Sequence, residues 1–225
     1  MKAKSKRYKN EAQQVSKEAL SLDAAVDRIK SFTAVKFDQT VECVLHLGID
    51  PKQADQLIRG SLSLPHGVGK QKRVIAFCSD ADVEAARKAG AIEAGTDELI
   101  QKITDGWLDF DVAVASPKVM GKAGKLGRIL GPQGKMPSPK NGTVTDDVAT
   151  AVAEFTAGKI EFRNDAGGNV HAVVGKQSFD KKKLVENIEA FVSHIKKIKP
   201  SSAKGTYIKK ACLAATMSPG VTVSL

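Results

Sequence analysis

Between Arg73 and Gly158 short apolar runs alternate with stretches of helical periodicity, and this alternation restricts the fold more than any other feature of the chain. RVIAF (73–77) and DVAVA (111–115) read as strands covered on both faces, with AIEAG (91–95) a short extended piece between them. Ser79 is placed to cap a helix through Ala89 that Gly90 closes, and Thr96 to cap a second through about Ile103. Thr145 then caps a helix over 146–157, with Val148, Ala151, Val152 and Phe155 at helical spacing and Gly158 at its stop. Strand, helix, strand, helix, strand is a βαβ-type unit with a parallel sheet.

The flanks read differently. Helical patterns cover about 13–20 and 22–32. Val41, Cys43, Leu45 and Leu47 alternate with Glu42 and His46, as in a half-buried strand. Asp50-Pro51 opens a short helix that Gly60 closes. KIEFR (159–163) and NVHAVV (169–174) flank DAGG in the pattern of a β-hairpin. Ser178 caps a long helix with Leu184, Ile188, Phe191, Val192 and Ile195 on one face, and Pro200 stops it. YIKKACLAAT (207–216) and VTVSL (221–225) read as strands. Helices on one face of an antiparallel sheet leave the other face free, a common platform for RNA.

Charge follows the same partition. Residues 1–68 carry 11 basic and 8 acidic side chains, 69–157 carry 12 of each, and 158–225 carry 12 and 5. A neutral insert between two basic ends predicts two domains: a split α+β domain from 1–68 and 158–225, and an inserted α/β domain over 69–157. Residues 66–69 and 157–159 would hinge them. The net charge of +10 and a pI near 9.5 point to a polyanionic partner, nucleic acid first.

Other classes find little support. The 3 cysteines and 4 histidines are scattered, so zinc, a disulfide framework and a cofactor site are not expected. The longest uncharged run, 211–225, is too short to span a bilayer, and the basic N-terminus leads into no apolar stretch. A cytoplasmic protein with no membrane contact is expected. The stretch from Gly121 to Gly142 invites a phosphate-loop reading, but Lys135 is followed by Met136 rather than Ser or Thr. Around it Lys118, Lys122, Lys125, Arg128, Lys135 and Lys140 occur with no acid. It reads as a glycine-rich basic loop, with Lys122, Lys125 and Arg128 as a secondary contact. A phosphate-binding α/β enzyme built on this loop is the rival reading.

Two patches in the flanks suit RNA. In KFDQTVE (36–42), Phe37 suits stacking on a base, Lys36 a phosphate, and Thr40 and Glu42 sugar or base edges. In SSAKGTYIKKACLAATMSPG (201–220), Lys204, Lys209 and Lys210 supply charge, and Thr216 and Met217 end a strand before a turn.

These two stretches, with RGSLSLPHGVGK (59–70) and GKLGRILGPQGKMPSPKNGTV (124–144), resemble the L-one stalk-protein family of the bacterial large ribosomal subunit. The likeness runs almost end to end. It implies a non-enzymatic protein with a split rRNA-binding domain and an inserted three-layer α/β domain. It also implies a place on the mobile stalk near the tRNA exit site, help in moving and releasing deacylated tRNA, and repression of translation from its own mRNA. The implied partners are large-subunit rRNA, exit-site tRNA and that mRNA, with no homo-oligomer. Family positions for rRNA map onto Lys36, Phe37, Thr40, Glu42, Thr216 and Met217. With Lys204, Tyr207, Lys209 and Ser218 these form the expected rRNA-binding set. Family positions facing the tRNA elbow map onto Lys52, Arg59 and Arg163. One departure stands out: Ser218 occupies the glycine position of the family's Thr-Met-Gly-Pro motif. A positive φ there would strain serine, whereas a negative φ would accept it.

Overall fold

The computed structural model describes residues 5–16, 18–32 and 35–225. In chain order the elements are α1 (Lys6–Gln13), α2 (Leu22–Ser31), β1 (Thr40–Leu47), β2 (Arg59–Leu62), β3 (Val74–Phe77), α3 (Val83–Lys88), β4 (Glu93–Gly95) and α4 (Asp97–Thr104). There follow β5 (Val112–Ala115), α5 (Met120–Ala123), α6 (Gly127–Leu130), α7 (Val148–Ala157), β6 (Ile160–Arg163), β7 (Asn169–Lys176), α8 (Lys181–Lys197), β8 (Ile208–Ala215) and β9 (Val221–Val223). They gather into two compact units, one from Met1–Gly69 with Ile160–Leu225, the other Lys70–Lys159.

The first unit is built on an antiparallel sheet of order β7-β1-β8-β9, with β2 and β6 forming a separate antiparallel pair. The alternation in β1 works as read: Val41, Cys43, Leu45 and Leu47 are buried and Glu42 is exposed. α2 and α8 pack over the buried face, and the five apolar residues predicted for α8 are all in the core. Burying each is worth about 1.5–3 kcal/mol.

Four local expectations fail here, each because a side chain bonds the backbone differently. The first helix is Lys6–Gln13 rather than about 13–20: the Ser5 hydroxyl accepts from the Tyr8 amide at 3.3 Å and Arg7 pairs with Glu11 one turn on. Part of the expected 13–20 helix, residue 17, lies outside the described residues. Between Asp50 and Gly60 only a 3-10 turn forms, Ala54–Gln56, and Gly60 lies within β2. There the Asp50 carboxylate accepts from the Lys52 amide and Gln56 accepts from the Asp50 amide, local bonds that compete with a helix. The turn at 165–169 does form, but its strands part: β6 joins β2 and β7 joins β1. Asn164 directs this, its side chain accepting from the Ile58 amide at 2.8 Å and its own amide donating to the Ile58 carbonyl at 2.9 Å. Ser178, expected to cap α8, instead donates its amide and hydroxyl to Asp38.

The second unit is a parallel sheet of order β4-β3-β5 between two layers of helix. Val74, Ala76 and Cys78 face α3 and α7, while Ile75 and Phe77 face α4, α5 and α6. α3 is shorter than predicted because the Ser79 hydroxyl donates to Asp82 rather than capping it. α7 is capped by Asp147, not Thr145, its carboxylate accepting from the Thr150 hydroxyl and amide. Those bonds hold the Asp147 carboxyl below its ordinary pKa.

The largest correction concerns Gly121 to Gly142. It is not a loop but a chain of short helices: α5, a 3-10 turn at Gly124–Leu126, α6, and another at Pro139–Asn141. Val119, Ala123, Leu126 and Leu130 are buried against Phe77 and Leu99. Their spacing is helical and visible in the sequence, but the intervening glycines masked it. Gly124 and Gly127 take helical backbone angles, while the chain before Lys135 turns with Gly134 at φ 70°.

Asn187, fully buried in α8, anchors the loop before the second unit. Its Nδ2 donates to the carbonyls of Gly67 at 3.0 Å and Val174 at 2.8 Å, and its Oδ1 accepts from the His66 amide. Asn187→Ala strands three backbone groups and should cost about 2–4 kcal/mol, read as a lower urea midpoint. An unchanged midpoint would show that water replaces these bonds without loss.

Candidate nucleic-acid interface

At one end of the first unit's sheet the chain leading into β1 lies alongside the chain leaving β8. Gln39 joins them. Its side chain is fully buried, and its Oε1 accepts from the Met217 amide at 2.9 Å. Its Nε2 donates to the Gln177 side chain at 3.0 Å, and its carbonyl accepts from the Gln177 amide. The next residue closes the sheet: the Thr40 amide donates to the Thr216 hydroxyl at 3.1 Å, and the Thr216 amide to the Thr40 carbonyl at 3.1 Å. Lys176 donates to the Thr40 hydroxyl at 2.8 Å, leaving that hydroxyl's proton for a partner.

This frame presents Lys36, Phe37, Thr40, Glu42, Thr216 and Met217 along one edge. Phe37 and Met217 are 50% and 51% exposed, two of the few large apolar side chains that the described residues leave in solvent. The sequence reading found these residues but missed what holds them. Gln39 and Gln177 carried no signal beyond being polar. Arg7 was also missed: it donates to the Met217 carbonyl at 2.7 Å while pairing with Glu11, so α1 buttresses the turn.

Two predicted residues cannot present side chains to a partner. Ser218 is 8% exposed, its amide donating to Ala215 and its hydroxyl lying 3.4 Å from Gln39 Oε1. No described residue other than glycine has positive φ, so serine sits there without strain. Tyr207 is equally buried, and burial pushes its hydroxyl up to about 12.

Lys204 and Lys209 are not brought to this edge either. Lys209 and Thr216 lie at opposite ends of β8, about 23 Å apart at the usual strand rise. At that far end the β1 terminus bonds both neighbours: Leu47 donates to Gly168, and Gly48 to Tyr207. Arg59 and Arg163 lie in the same unit as register partners on β2 and β6, both exposed. Lys52 is exposed on the loop before β2.

In the second unit Lys122 pairs with Asp97 at 2.8 Å, and Lys135 donates to the Leu108 carbonyl while lying 4.9 Å from the Phe110 ring. Lys125 and Arg128 are exposed on the helical segment. The basic cluster is therefore partly consumed by the fold.

The family model described as Ribosomal protein L1p/L10e family matches residues 29–219. The large ribosomal subunit protein uL1 of Rhodopirellula baltica is 57% identical over 224 residues, covering 100% of both chains. That of Thermobifida fusca is 52% identical over 221 residues, 98% of this chain and 94% of that protein.

Since Ser218 takes an ordinary backbone conformation, Ser218→Gly should relieve nothing. It should instead destabilise the chain by about 0.5–1 kcal/mol through the unfolded state's added freedom. A thermal midpoint that rises would show strain at this position.

Proposed function

Because the chain belongs to the ribosomal protein L1p/L10e family, we propose that it binds large-subunit rRNA through the edge formed by Lys36, Phe37, Thr40, Glu42, Thr216 and Met217. It is a structural protein of the ribosome and not an enzyme, which removes the phosphate-binding alternative. The observation that carries the binding site is the pair of exposed apolar side chains on a hydrogen-bonded, buried frame. A rigid edge of this kind selects a folded RNA by fit, while cations supply salt-dependent affinity.

On this reading the two chain ends form a split rRNA-binding domain and the neutral unit is its insert; the hinge expected at 66–69 is narrowed to the chain from Gly69 on, because Asn187 and the burial of Val68 fix residues 66–68, with the return at 157–159. The family resemblance, together with the exposed Arg59–Arg163 pair, supports a contact of Lys52, Arg59 and Arg163 with exit-site tRNA during its release. Repression of the chain's own mRNA would use the rRNA edge, a messenger site competing with rRNA. Lys125 and Arg128 remain a secondary contact of the insert, and Lys122 a weaker one because Asp97 already holds it.

Phe37→Ala and Met217→Ala should each weaken binding of a stalk rRNA fragment by about 1–3 kcal/mol with little change in salt dependence. Lys36→Gln should instead lower the logarithmic salt slope by about 0.7–0.9. Affinities within about twofold of the parent for both apolar variants would remove this edge from the site.

A further inference from the structure

The 8 residues of α1 are too few for a helix to hold itself together in water. Its charges do not help it. Lys6 and Arg7 stand in a first turn that carries no acid, and its last turn carries no base, the reverse of what the helix dipole favours. Arg7 precedes Glu11 by one turn, the weaker order for such a pair within a helix. Nor does α1 bury an apolar face. Glu11 is its only buried residue, at 3% exposed, and beyond its end Val15 packs against the core.

Arg7 supplies the docking contact. Its Nη1 donates to the Glu11 carboxylate at 3.1 Å, and its Nη2 to the Met217 carbonyl at 2.7 Å. One planar fork thus spans a buried carboxylate and a backbone oxygen 210 residues away, a geometry that suits arginine and not lysine. On the other side of the same residue the Met217 amide donates to Gln39 Oε1. Both backbone polar groups of Met217 are therefore held by side chains, since β8 ends at Ala215. One of the two comes from the chain before β1 and the other from α1. Without Arg7 the Met217 peptide keeps a single anchor and can tilt, and its half-exposed side chain tilts with it.

We propose that Arg7 is a positioning residue for rRNA binding: docking of α1 fixes the Met217 peptide and, through it, the side chain that meets RNA, an inference that rests on the rRNA edge assigned above. Arg7 acts through Met217 and not as a phosphate contact. Its fork is turned onto Glu11 and the Met217 carbonyl, and its side chain is only 26% exposed. The family model begins its match at residue 29, so Arg7 and Glu11 lie outside the segment by which the family is identified. The coupling is reciprocal: if docked α1 favours bound RNA, bound RNA favours docked α1 by the same factor.

The test compares the full chain with Arg7→Ala combined with Glu11→Ala. This variant leaves no carboxylate buried without Arg7, keeps the net charge, and does not lower helix propensity. In the free chain, amide hydrogen exchange read by NMR should speed up at Met217 by about tenfold, the scale of a lost charge-assisted hydrogen bond. Binding of a stalk rRNA fragment should weaken on the order of tenfold with its salt slope unchanged. In a Met217→Ala background the same pair of changes should cost less than about twofold more, since the group that Arg7 positions is gone. Unchanged affinity, an equal loss with and without the Met217 side chain, or a salt slope lower by about 0.7–0.9 would overturn the assignment, the last by placing Arg7 on a phosphate. Failure of the parent chain to bind the fragment would count against the rRNA edge instead. The exchange arm then decides alone, and an unchanged rate at Met217 would show that Arg7 does not position it.

Discussion

The buried amide of Gln39 is the contact on which the rest of the binding edge depends. It is held by the Gln177 side chain and in turn holds the Met217 amide, so three chain segments far apart in sequence meet at one polar group. An unsatisfied amide at that depth would cost several kcal/mol in an apolar setting, on the order of 2–7, so the three segments cannot drift apart singly. This constraint lets Phe37 and Met217 stand in solvent without collapsing onto the core.

A second consequence is a division of labour along one sheet. At one end hydrogen bonds close the strands, and two apolar side chains, Phe37 and Met217, stand exposed beside Lys36 and Glu42. At the other the exposed groups include the lysines Lys209 and Lys210, and the ladder breaks register near both ends, at Val41/Glu42 and at His46/Leu47. What separates them is the kind of exposed group: apolar side chains on a buried polar frame at one end, lysines at the other.

Much of this was legible in the sequence, and what was not has a common cause. Strands with strict alternation, such as 40–47, and helices with a full apolar face, such as 181–197, could be read because their burial pattern is set by residues two to four apart. Cap and turn assignments at Ser79, Thr145 and Ser178 failed because a hydroxyl has several local acceptors, and tertiary partners such as Asp38 decide among them. The 121–142 stretch was misread because glycine lowers helix propensity while leaving burial of Ala123, Leu126 and Leu130 unaffected. At the candidate site the exposed residues were legible by type. Gln39, Gln177 and Arg7 were not, since their partners lie 138, 178 and 210 residues away and no local pattern marks them. The separation of Lys209 from Thr216 followed from reading 207–216 as a strand, yet their closeness in sequence grouped them as one site.

The most direct measurement is a hydroxyl-radical footprint of the chain, free and bound to large-subunit rRNA, read by mass at single side chains. Phe37 and Met217 are half exposed and should oxidise readily in the free chain. The expected result is strong shielding of both on binding, with the side chains around Tyr207, at the far end of β8, as reactive as before. Unchanged oxidation of Phe37 and Met217 with shielding at the far end of β8 would contradict it.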